Sequence, residues 1–241
     1  MFQSLYASSK NPIVPGRNNK DIIRSELSGF TFEIAVPPTS TGFASTKNEH
    51  NAKIDLYNLS RFTERAKYPH EVGLPRLIPV FTREPTLRVG LLGGSAKGFM
   101  TISSVCIYFD DLPEGKSLLH PKTFESAVLR TYYFFRGPGS LSGGSYEGPW
   151  SWKSIKSNSR NWICFDTTRC DEEQDIKEFG PDAADINRVC KYYMPLTDSH
   201  MLALNFVFTG YSPASHCLPA MHSVKEEVFS SLYIANGNSA D

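Results

Sequence analysis

The densest set of reactive side chains in this chain is SPASHCLPAMHS, which holds His216, Cys217 and His222 within a few residues. A cysteine nucleophile needs a base beside it in space, and that base usually comes from a distant segment. Here the partners are local, and Pro213 and Pro219 interrupt the stretch. The same residues could ligate a metal together with Cys164 and Cys170. Structural zinc sites, however, pair their ligands two to four residues apart, and a C-x5-C with an isolated His-Cys does not fit that spacing. The expectation is an ordinary loop, with no metal and no cofactor. Should the chain be an enzyme, Cys217, His216 and His222 are its catalytic candidates.

Other chemical patterns fall short in specific ways. GLLGGSAKG (90–98) is rich in glycine, but Lys97 follows Ala96 and precedes Gly98, so the phosphate-loop spacing is absent, as is the dinucleotide-binding G-x-G-x-x-G. It reads as a hairpin turn. Ser95, Ser140, Ser142 and Ser145 lack the G-x-S-x-G flanks of a nucleophile elbow. Acids cluster at Asp110-Asp111 and at Asp171, Glu172, Glu173 and Asp175. Paired carboxylates do acid–base work when burial separates their pKa values; a turn at the strand end and a solvated face are the simpler roles.

The aromatic stretch GPGSLSGGSYEGPWSW (137–152) resists dismissal. Its Gly and Ser make an adaptable backbone, while Tyr146, Trp150 and Trp152 offer large contact area, a mixture common in binding loops. The alternative is that both tryptophans fold back onto the core.

Composition narrows the field. Lys+Arg and Asp+Glu are equal at 25 each, which argues against general nucleic-acid binding, since that needs surplus cations to displace counterions. Hydrophobic residues at 40% suit a globular chain that buries a core. The longest apolar run, around MLALNFVF, is far short of the roughly 20 residues that span a bilayer. The N-terminal residues do not read as a secretory signal, so a cytoplasmic location is expected. Five scattered cysteines, an odd number, disfavour a disulfide framework; Cys106, Cys164 and Cys190 read as buried thiols.

Most of the chain is strand-like. In VCKYYMPLTDSHMLALNFVFTG (189–210) two strands flank a turn, and Leu202, Leu204, Phe206 and Phe208 fall on one face by strict alternation. FTFEIAV (30–36), KIDLYNL (53–59), LIPVF (77–81), TLRVGLL (86–92), FMTISSVCIYFDD (99–111) and NWICFDT (161–167) also read as strands. Pro79 places 77–81 at an edge, and 99–111, partly apolar on both faces, reads as central. KDIIRSEL (20–27) is expected to be a short helix capped by Asn19. KTFESAVLRTYYFFRG (122–137) is expected to be a helix or turn followed by a strand, because TYYFF has high strand propensity. A short helix is allowed at 171–178. Ser223-Val-Lys-Glu226 matches a capping box opening a C-terminal helix.

Strands with few helices and no βα alternation predict an α+β fold. We expect a mostly antiparallel sheet of about seven to nine strands with helices packed on one face, including a C-terminal helix. Residues 1–18 read as an extended arm, 19–235 as one domain with a sub-division near 112–122 as the alternative, and 236–241 as a flexible tail. The functional expectation is a non-enzymatic protein that binds another protein through Tyr146, Trp150 and Trp152. An inhibitor or toxin-neutralising, immunity-type protein is its concrete form, although no motif specifies it. A small hydrolase using a Cys/His or His/Asp site and a structural or assembly subunit are the competing classes.

Overall fold

The structure is a computed structural model and describes residues 6–7, 12–39, 52–62, 75–91, 94–136, 145–170, 187–210 and 217–236. In chain order these form β1 (Tyr6–Ala7), β2 (Asp21–Leu27), β3 (Phe30–Val36), β4 (Ala52–Ile54), a 3-10 turn (Leu59–Arg61), β5 (Arg76–Arg83), β6 (Thr86–Leu91), β7 (Ser95–Tyr108), α1 (Pro121–Arg136), β8 (Ser145–Ser157), β9 (Arg160–Cys170), β10 (Asn187–Pro195), β11 (His200–Gly210), α2 (Leu218–Ser230) and β12 (Tyr233–Asn236).

A large antiparallel sheet runs β1-β6-β7-β11-β10-β9-β8, with β5 also on β7; a smaller sheet runs β12-β3-β2-β4. The β10–β11 hairpin sits at the centre of the large sheet, and the face its alternation predicts to be apolar is buried. Leu202, Leu204, Phe206 and Phe208 are all 0% exposed, and on the opposite face Met201 and Ala203 are buried as well. β11 is therefore covered on both sides. β7 is central too, paired with β11 along one edge and with β5 and β6 along the other, with Met100, Ile102, Ser104 and Cys106 buried on one face and Thr101, Ser103 and Val105 only half-buried on the other. β6 and β7 pair antiparallel as the expected hairpin, but residues 95–98 of the glycine-rich stretch lie within β7 rather than in a turn.

The two faces hold separate cores. One packs the small sheet and α2 (Met221, Val224, Val228, Phe229) against Cys164, Cys190, Tyr192 and Phe206. The other packs α1 (Phe124, Ala127, Val128, Tyr132) against Ile163, Phe165, Tyr193 and Met201. The helices thus lie on opposite faces rather than on one, because odd and even positions of β9–β11 are both apolar and each face needs a cover.

Several local expectations are corrected. Residues 21–27 form β2, not a helix: Ile23, Ser25 and Leu27 are buried while Ile22, Arg24 and Glu26 point out, a period of two. The Ser28-Gly29 turn, with φ of 44° and 92°, folds β2 onto β3. Of 53–59 only the start is strand; the Asp55 carboxylate accepts from the Tyr57 N–H at 2.9 Å and turns the chain. Residues 121–136 are helical throughout. Burial of Phe124, Val128 and Tyr132 one turn apart outweighs the strand propensity of TYYFF. Residues 145–152 belong to β8 rather than to a loop, while 137–144 lie outside the described residues. The C-terminal helix begins at Leu218 with Pro219 in its first turn, so Ser223 is mid-helix, and its hydroxyl accepts from Arg17 Nη2 at 2.6 Å instead of capping. The loop or short helix at 171–178 lies outside the described residues, as does 237–241 of the expected tail, whose first residue, Asn236, ends β12.

Candidate functional site

β8 is the outermost strand of the large sheet and carries all three aromatic candidates. Its pairing with β9 breaks register twice, between Glu147 and Trp150 and between Trp150 and Lys153. At the first break Gly148 has φ of 131°, and a Cβ there would meet the Asp166 carbonyl at 3.0 Å, so only glycine fits. The Tyr132 hydroxyl donates to the Gly148 carbonyl at 2.8 Å and ties this bend to α1. At the second break Ser151 has φ of 54°.

These bulges send neighbouring tryptophans different ways. Trp152 stacks on Phe165 with ring centroids 5.1 Å apart and planes 12° from parallel. Phe165 stacks in turn on Tyr193, and Tyr132 meets its edge. Trp152 is thus one end of an aromatic pile beneath α1. Trp150 is paired in register with Asp166 and is 46% exposed. Tyr146 of β8 is opposite Arg169 of β9, and its side chain lies outside the described part of the structure.

Register extends the Trp150 row inward. Trp150, Asp166, Cys190 and Phe206 lie directly across β8, β9, β10 and β11, and the next row is Lys153, Cys164, Tyr192 and Leu204. Paired residues share a face, and this is the face that α2 covers. Polar groups collect here. Lys225 of α2 is 9% exposed; its Nζ is 3.0 Å from the Glu226 carboxylate and 5.9 Å from the centre of the Tyr192 ring. Burial opposes its charge, while the bonded Glu226 carboxylate favours it and raises its pKa. The Cys190 thiol is pushed up, first by burial and then by the Asp166 carboxylate. His222 packs edge-on against Phe208 at 5.1 Å. Burial, then Lys225 and Arg188, lower its pKa, with Asp166 and Glu226 pulling the other way. The result is a mixed-charge patch holding a neutral imidazole near a carboxylate, with an exposed indole at its rim.

The first-ranked chemical candidates from the sequence are not gathered into one place. Cys217 is 1% exposed and packed in the core, whereas a reactive cysteine needs access and a stabilised thiolate. Five residues along a helix correspond to roughly 140° of rotation, so Cys217 and His222 leave α2 on different sides. His216 lies outside the described residues. Asp110 and Asp111 serve structure: Asp111 holds Arg130 through two bonds of 2.7 and 2.5 Å, and Asp110 pairs with Arg76 at 3.3 Å. Among the described residues no group of three or more His, Cys, Asp or Glu is placed to hold a metal.

Asp166, Arg188 and Lys225 escaped notice in the sequence. One signal was present: Lys225 lies in the same apolar stripe as Met221, Val224 and Val228, and a lysine on a buried helix face needs a partner. Placing the helix start at Ser223 hid that stripe. Among the described residues no helix is long and apolar enough to cross a membrane. In comparison with known proteins, the chain matches no family model and no curated protein.

Proposed function

We propose that this chain acts by binding another protein, with Trp150 as the anchor and the mixed-charge patch beside it as the polar rim. The observation that carries this reading is Trp150 itself. It is a large aromatic left 46% exposed on an edge strand whose backbone is pinned by Gly148 and by the Tyr132 hydroxyl. Trp is enriched among residues that dominate interface energies, and a pre-organised backbone lowers the entropy cost of binding. The bulged, twisted β8 resists open-ended pairing with other strands, so the anchor is a side chain rather than a bare backbone edge. An inhibitor or toxin-neutralising protein of the cytoplasm is the concrete form we favour.

The test is native mass spectrometry of the protein captured gently from its source cells. A stoichiometric partner chain supports the reading, and a bare monomer counts against it. A second reading, a hydrolase, draws on the placement of His222, which packs on Phe208 in the strand row next to that of Asp166. It predicts turnover that His222→Ala abolishes while Trp150→Ala leaves it intact.

A further inference from the structure

On the opposite side of β8 from the α2 patch, a groove of 190 Å³ opens between the start of α1 and the β8–β9 hairpin. Leu118, Phe124, Trp152, Ile163 and Pro195 line it. Leu119, 57% exposed, stands at its mouth. The groove exists because α1 covers Phe165 and Tyr193 but stops short of the strand ends beyond them. One face of Trp152 is committed to Phe165, and the same ring forms part of the groove wall.

Size and charge say what fits. An apolar cavity of about 150 Å³ admits benzene, so this one takes a single aromatic ring and not a fused cofactor. Glu125 is the only charged residue among those lining it, with Ser154 and Asn161 as neutral polar partners. Lys116, Lys122 and Arg130 belong to a separate depression lined by the segment before α1 and by other residues of that helix. A mostly apolar groove with a few placed polar groups is the usual form of a recognition pocket.

We infer that this groove receives one aromatic side chain of the partner protein, with an adjacent lysine or arginine of that partner held by Glu125. This rests on the protein-binding reading above and adds a second contact on the same edge strand. Trp150 offers a ring outward, and the Trp152 groove takes one in.

The probes are capped dipeptides: acetyl-Phe-Lys-amide, with acetyl-Ala-Lys-amide and acetyl-Phe-Glu-amide as controls. Binding is followed through the indole N–H signals of the tryptophans in ¹H–¹⁵N spectra. The expected result is a saturable shift of the Trp152 signal with Phe-Lys, at least tenfold weaker binding of Ala-Lys, and binding of Phe-Glu weakened about two- to fivefold, the size of one exposed charge pair. Glu125→Lys should reverse the preference between Phe-Lys and Phe-Glu. Ser154→Trp, an exposed position on the groove wall, should abolish all shifts without unfolding the chain. The inference is overturned by no saturable shift, by equal binding of Phe-Lys and Ala-Lys, or by a preference that Glu125→Lys leaves unchanged. Those failures leave the Trp150 reading standing, since it is tested by the native partner and by Trp150→Ala alone.

Discussion

Truncating Trp150 and Trp152 separately distinguishes an interface residue from a packing residue two positions away. Burying an aromatic side chain removes roughly 150–250 Å² from water, and at about 25 cal/mol/Å² full burial stabilises by about 4–6 kcal/mol. Trp152 is only partly buried, which reduces that to about 2–3 kcal/mol, and its stack on Phe165 adds roughly 0.5–1.5 kcal/mol. Trp152→Ala should therefore cost about 3 kcal/mol. At about 2–4 °C per kcal/mol for a chain of this size, Tm should fall by roughly 6–12 °C. Trp150 is 46% exposed, so by the same accounting Trp150→Ala should cost about 2 kcal/mol, less than Trp152→Ala by the greater burial of Trp152 and its stack on Phe165. Calorimetry or urea denaturation of both variants measures the difference. Equal losses, or a larger loss for Trp150→Ala, would refute the division of labour between the two rings.

Further outcomes follow from the charges and thiols. Arg17 reaches from the N-terminal segment to Glu227 and Ser223 of α2, and Lys20 joins the same carboxylate at 3.2 Å. Glu227→Gln should lower stability by about 0.5–1 kcal/mol in low salt and by less at 1 M salt, measured by urea denaturation. The hydrogen bond from Arg17 depresses the Glu227 pKa, so this contribution is present above the unfolded carboxylate value and is lost as pH falls through the folded one. His200 and His222 both have pKa values lowered chiefly by burial. Their neutral forms favour the fold, so that contribution is present above the unfolded histidine pKa and declines as pH falls below it; NMR titration should place both midpoints under the free-histidine value, and a midpoint at or above it would contradict their buried placement. Cys106, Cys164, Cys190 and Cys217 are buried, so a thiol reagent should label at most one of the five cysteines in the native state and all five in denaturant. Fast labelling of Cys217 would revive a thiol-based enzyme.

What was legible depended on whether a single segment carried the signal. The β10–β11 hairpin could be read directly because Leu202, Leu204, Phe206 and Phe208 alternate without exception and all four are buried. TYYFF could not, because its helical state is decided by Phe165, Ile163 and Tyr193 in distant strands, and tertiary burial overrides propensity. β2 is ambiguous in sequence because a seven-residue segment with charges at Asp21, Arg24 and Glu26 suits a short helix as well as a half-exposed strand. The polar patch was hidden for a different reason. Asp166, Cys190 and Lys225 come from β9, β10 and α2, and only strand register and the packing of α2 bring them together. The aromatic candidates were visible as residue types, but their opposite fates depend on bulges at Gly148 and Ser151 that no spacing rule announces.

The most direct test of the central claim is the affinity of the wild-type protein and of Trp150→Ala for the partner chain recovered with it, by isothermal titration calorimetry. The account predicts a loss of at least 2 kcal/mol, about thirtyfold in Kd, as expected for an interface anchor, with the melting temperature lowered by less than in Trp152→Ala. An unchanged Kd in a folded Trp150→Ala variant would contradict it.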